Sequence, residues 1–183
     1  MEKGLNRFSA FDLIIIALMA ALGIATKPVI GSLARIITGP LFIPGGAIAG
    51  GFYMLWIVLG TGLIKKRFTA TLIALVQAIM VIAIGVLGTH GIMSIFTYTL
   101  PGIMIDLILF IIRKKGDDLI DCFLAGIVSN MTGTLLSNIV FFKLPLIPLI
   151  LTLSSAALSG GLGGIIGFNI IKRFKGLNIA GFN

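Results

Sequence analysis

The sequence predicts an all-α integral membrane protein of six transmembrane helices, with both N and C termini in the cytoplasm. Three observations carry that prediction. Of the 183 residues, 58% are hydrophobic and only 11% charged, where a soluble domain runs near a quarter charged; the mean hydropathy is +1.17. Six apolar stretches each approach the ~20 residues that a helix rising about 1.5 Å per residue needs to cross about 30 Å of hydrocarbon. The basic residues gather between alternate stretches rather than in one patch.

The spans fall at about 9–26, 45–64, 69–87, 92–112, 119–142 and 146–171. The first contains LIIIALMAAL, a continuous apolar run where a membrane barrel strand would alternate. Backbone groups in lipid must be paired within the segment, so the spans are helices. The run is longer than the apolar core of a signal peptide and lacks an A-x-A site, so it is read as a retained helix. The second span carries Tyr53 and Trp56, and the third has Gln77 near its middle. Pro101-Gly102 interrupts the fourth, where proline removes one backbone bond and turns a carbonyl toward a cavity. Asn130, Ser137 and Asn138 run up the fifth, and the sixth is rich in glycine. No soluble domain, low-complexity tract or internal repeat is visible, so residues 1–183 read as one six-helix transmembrane domain.

Orientation follows from Lys and Arg. The N-terminus, the 2–3 and 4–5 connections and the C-terminus carry Lys3, Arg7, Lys65, Lys66, Arg67, Arg113, Lys114, Lys115, Lys172, Arg173 and Lys175. The other side carries only Lys27, Arg35 and Lys143, and the richer side is cytoplasmic by the positive-inside rule. The first outer connection, KPVIGSLARIITGPLFIP, is long and apolar, and its prolines and glycines argue against a further span. It is read as a loop capping the outer end of the bundle, with an interfacial helix as the alternative.

Small residues mark close helix packing. Ala17, Ala21 and Ala25 share one face of the first helix, Gly46 and Gly50 one face of the second, and Gly160, Gly163, Gly164 and Gly167 one side of the sixth. For the glycines, packing inside the bundle is the simpler reading.

With the size, the six helices and the long apolar first outer connection, the alanine face makes the chain resemble the S component of an energy-coupling-factor (ECF) type ABC vitamin importer. An S component is the substrate-binding membrane subunit. The resemblance runs over essentially the whole chain, through TGPLFIPGGAIAGGFYMLWIV, IGVLGTHGIMSIFTYTLPG and ALSGGLGGIIG, and lies nearest the YkoE type, associated with thiamine and its hydroxymethylpyrimidine precursor. It implies a multi-pass protein of the prokaryotic plasma membrane. It also implies that Ala17, Ala21 and Ala25 meet a transmembrane coupling subunit seated on two ATPase subunits.

Polar groups inside a membrane are costly and tend to mark function. The ligand-binding candidates are Tyr53, Trp56, Gln77, His90, Tyr98, Asn130 and Asn138. Each has a structural alternative: an interfacial anchor for the aromatics, a bond between helices for Gln77 and Asn130, a turn cap for His90. Asp106 lies below the middle of its helix and is read as pairing within the bundle or with a cytoplasmic base. With no carboxylate in the outer half, a neutral heteroaromatic fits better than the thiamine cation, which leaves hydroxymethylpyrimidine or a nucleoside such as the cobamide precursor α-ribazole. No metal cluster, cofactor motif, ATP-binding motif or nucleic-acid patch is present; the expected partners are membrane lipid, a small vitamin or precursor, and the coupling and ATPase subunits. A stand-alone transporter or channel is the main alternative. A membrane enzyme built on Ser159 and His90 is disfavoured, because the two belong at different depths.

Overall fold

The computed structural model describes residues 8–39, 44–84 and 93–176. They form helices throughout: α1 Ala10–Thr38, α2 Gly45–Ile64, α3 Thr69–Ile84, α4 Ser94–Ile111, α5 Leu119–Ser137 and α6 Leu146–Gly176. The all-α, six-helix expectation holds. Five of the helices are long and apolar enough to cross a membrane, and α3 is a shorter apolar helix over its described residues. Large apolar side chains such as Ile36, Phe110, Ile147 and Leu158 stand more than half exposed around the outside. A surface of this kind is tolerated only against lipid or another protein.

α2 is the central helix, with 72% of its span buried against 28% or 33% for the other long helices. It touches α1, α3, α5 and α6, while α3–α4, α4–α5 and α5–α6 pack in sequence around it. Glycine allows the tightest of these approaches. A Cβ on Gly163 would overlap the Gly51 carbonyl, and one on Gly160 would overlap the Gly126 carbonyl. Backbone therefore meets backbone where α6 crosses α2 and α5, and the glycines of α6 serve packing inside the bundle.

The first part of the segment read from sequence as an apolar outer loop, Lys27 to Thr38, is helical, and residues 40–43 lie outside the described residues. α1 continues through Pro28 to Thr38, and at about 1.5 Å per residue its 29 residues reach ~43 Å. Pro28 removes only its own N–H from the ladder. The carbonyl it leaves without a helical donor is that of Ile24, and the ladder resumes on either side; the Thr26 and Ser32 hydroxyls nearby donate to Leu22 O at 3.0 Å and Pro28 O at 2.8 Å. The extension lies along the start of α2, where a Cβ on Gly31 would stand 2.8 Å from the Tyr53 hydroxyl.

Charges gather at the end where α1 begins and α6 finishes. Ser9 and Asp12 form a reciprocal cap on α1, and Lys66 reaches Asp12 at 2.7 Å. Asp117 receives Lys175 at 2.9 Å and Lys65 at 3.9 Å, and Lys114 pairs with Asp118. Burial alone would raise the Asp117 carboxyl, but the bond from Lys175 and the charges of Lys175 and Lys65 outweigh it and hold it below its ordinary value. The start of α1, the 2–3 and 4–5 connections and the end of α6 thus share one end of the bundle, as an even number of spans requires.

Candidate functional site

At the opposite end the helices part around a cavity of about 230 Å³. Small residues of α2 make the room: Gly46, Ala47 and Gly50 line it, beside Tyr53, Met54 and Ile57. Gln77 of α3, Thr97 and Tyr98 of α4, Asn130, Thr134 and Asn138 of α5 and Thr152 of α6 complete the wall. An engineered apolar cavity of ~150 Å³ holds benzene, so this one suits a substituted single ring or a small two-ring heterocycle.

Lys27 of α1 enters the cavity. Its Nζ stands 3.5 Å from the centre of the Tyr98 ring and 5.4 Å from that of Tyr53, close enough for cation–π attraction. The Tyr53 hydroxyl donates to the Lys27 carbonyl at 3.4 Å. Among the described residues no carboxylate pairs with Lys27. Gln77 is 3% exposed, its carboxamide faces Gly23 of α1, and its Nε2 has no hydrogen-bond partner.

Five of the seven residues singled out from sequence, Tyr53, Gln77, Tyr98, Asn130 and Asn138, surround this cavity. Trp56 does not; its Nε1 donates to Thr26 Oγ1 at 3.2 Å and ties α2 to α1. Of the α2 aromatics only Tyr53 faces the cavity; Phe52 stands exposed on the outside, and Trp56, three residues beyond Tyr53, turns toward α1. His90 lies outside the described residues. Asn130 also carries the bundle: its Nδ2 donates to Ala47 O at 2.9 Å and Ala156 O at 2.8 Å, joining α5 to α2 and α6. Asn138 begins a π-helical turn, Asn138–Phe142, and accepts from Leu144 N at 2.8 Å, closing the passage into α6.

Sequence reasoning missed Lys27, because a lysine just past a predicted span reads as a topology signal. Thr97, Thr134 and Thr152 were also missed, since one hydroxyl in an apolar helix carries no signal of direction. Thr97 has a retrospective clue in Pro101, whose missing N–H would otherwise bond the Thr97 carbonyl.

Two other polar residues are absorbed by structure. Asp106 of α4 accepts from Thr71 N at 2.7 Å and Thr71 Oγ1 at 2.6 Å, a carboxylate set on the start of α3. It pairs within the bundle, away from the cavity. Ser159 accepts from Gly51 N at 3.1 Å and donates to Ile48 O, so its hydroxyl joins α6 to α2 rather than standing ready as a nucleophile.

Residues 11–132 match the model of a protein family described as "ABC-type cobalt transport system, permease component". A solved structure described as "Crystal structure of an S-component of ECF transporter" superposes with a TM-score of 0.74 and 17% sequence identity, covering 94% of this chain and 88% of that one. No curated protein matches the chain.

Proposed function

The chain belongs to the family of ABC-type cobalt transport permease components, and from that premise we propose that it is the substrate-capture subunit of an ECF-type importer. It is a multi-pass membrane transport subunit rather than an enzyme, and its fold is that of an S component. The observation that supports capture is the cavity at one end of the bundle: all six helices contribute to its wall, and tyrosine, amide and hydroxyl groups converge within it. On the charge distribution of the sequence this end faces outward, and a solute caught there is released inward when partner ATPases drive the subunit through its cycle.

The alanine face of α1 supports a coupling partner. Ala17, Ala21 and Ala25 all stand exposed, as do Leu13, Ile14 and Leu18 beside them. Small side chains on an outward face let a helix of the coupling subunit approach closely. The inner end of the bundle, with its basic connections, then meets the two ATPase subunits.

The solute is a small heteroaromatic vitamin or vitamin precursor, hydroxymethylpyrimidine or the nucleoside α-ribazole, of which the single ring of the former is nearer to the cavity in size. The family's description names cobalt, but the cavity offers a bare cation poorly matched donors: Lys27 repels it, and among the described residues no group of three or more His, Cys, Asp or Glu gathers anywhere. Thermal unfolding of the purified chain with a panel of ring compounds and with Co²⁺ tests this. A ring compound at a hundredfold excess over its Kd should add about 2.7 kcal/mol of stability. Stabilisation by Co²⁺ alone would overturn the assignment.

A further inference from the structure

We infer that the captured ring carries an anionic group, a carboxylate or one of similar size, held against the Lys27 ammonium. This rests on the capture reading and narrows it. The six acidic residues of the sequence are Glu2, Asp12, Asp106, Asp117, Asp118 and Asp121, so none occurs between Asp12 and Asp106 or after Asp121. Asp12, Asp117 and Asp118 are engaged in ion pairs at the far end of the bundle, and Asp106 sits on the start of α3. The half that holds the cavity has Lys27, Arg35 and Lys143 and no acid.

Lys27 meets ring faces on two sides and no carboxylate among the described residues. Ring faces offset part of the desolvation of an ammonium, but they leave its formal charge unmatched, and an unmatched charge out of water is costly. A ligand anion supplies the match through a charge-assisted hydrogen bond. The second observation is Gln77, a cavity-lining residue 97% buried, whose unpartnered Nε2 lies against Gly23, one helical turn before Lys27 on α1. Met54 and Ile57, also on the cavity wall, offer apolar contact for the ring. Arg35 lies two turns beyond Lys27 on α1, its Nε bonded to Gly31 O at 3.2 Å. An approaching anion therefore meets positive charge at this end of the bundle as well as in the cavity. A cation such as thiamine meets the reverse.

The test uses matched charge series: carboxylate, hydroxymethyl and aminomethyl groups on the same pyrimidine, pyridine and benzimidazole rings. Each is titrated by calorimetry into the full chain in nonionic detergent, which removes anionic lipid headgroups from competition. Within whichever ring binds, the carboxylate should bind tightest and the aminomethyl compound weakest. Lys27→Met should weaken the carboxylate roughly 10- to 100-fold, the factor of one charge-assisted hydrogen bond, and weaken the hydroxymethyl compound by clearly less, so that the preference between the two narrows or disappears. Lys27→Arg keeps the charge and should keep the order, which separates loss of charge from damage to the fold. A preference for the neutral or cationic member, or a carboxylate affinity indifferent to Lys27→Met, would overturn the charge inference while leaving ring capture standing. If no member of any series binds, capture itself fails and this inference with it.

Discussion

Ala21→Leu is expected to abolish uptake while the isolated chain still folds and binds its ligand. Ala21 stands exposed on α1, between Ala17 and Ala25, away from the packed side of the helix. A leucine there points out of the bundle, so the stability change should stay within about 0.5 kcal/mol, as for most surface substitutions. What it changes is the distance at which another helix can approach. A close-packed helix contact in lipid depends on small residues, since there is no water to expel and the gain comes from packing. Three added carbon atoms on that face hold the coupling helix away, and transport stops although capture does not. Ala20 is the contrasting position: it is 0% exposed, and Ala20→Leu should damage folding itself. Uptake by the Ala21 variant at the wild-type rate would place the partner contact elsewhere.

Gly163→Val is expected to have the largest effect on the fold. A Cβ at this position would enter the backbone of Gly51, at the crossing where Ser159 bonds into the α2 ladder. Neither side can yield by turning a side chain, because both contacts are main chain. Overpacking typically costs about 1–3 kcal/mol where neighbours can shift; here the helices must separate, and the loss should lie at or beyond the upper end. Separation would also break the Asn130 bonds to Ala47 and Ala156, through which α5 ties the same two helices together. Gly176→Ala is the control, since a Cβ there meets nothing within 4 Å. Unfolding of the two variants in detergent should differ sharply; equal midpoints would contradict the description of the α2–α6 crossing.

The helices were legible because hydropathy in a membrane protein reports the solvent directly, and the positions of α2, α4 and α6 follow from where apolar runs meet charges. The end of α1 was not legible. Pro28, Gly31 and Gly39 carry the sequence signs of a broken chain, yet one missing N–H is a modest loss when the helix ladder continues on both sides of it. Polar residues were legible as exceptions in apolar helices, but their partners were not. Asn130 joins three helices and Ser159 two over long sequence separations, and Trp56 differs from Tyr53 only by the direction in which it leaves α2. Lys27 illustrates the same limit: its position past the first span gives its topology, while its place beside Tyr98 depends on how α1 and α4 come together.

The measurement that bears most directly on the central claim is the composition of the complex that an affinity-tagged chain brings out of its native membrane in mild detergent. The account predicts a transmembrane coupling subunit and a pair of ATPase subunits with the wild-type chain, and their loss with Ala21→Leu. A wild-type chain that emerges alone, and that accumulates solute in proteoliposomes without ATP, would contradict it and make the protein a stand-alone transporter.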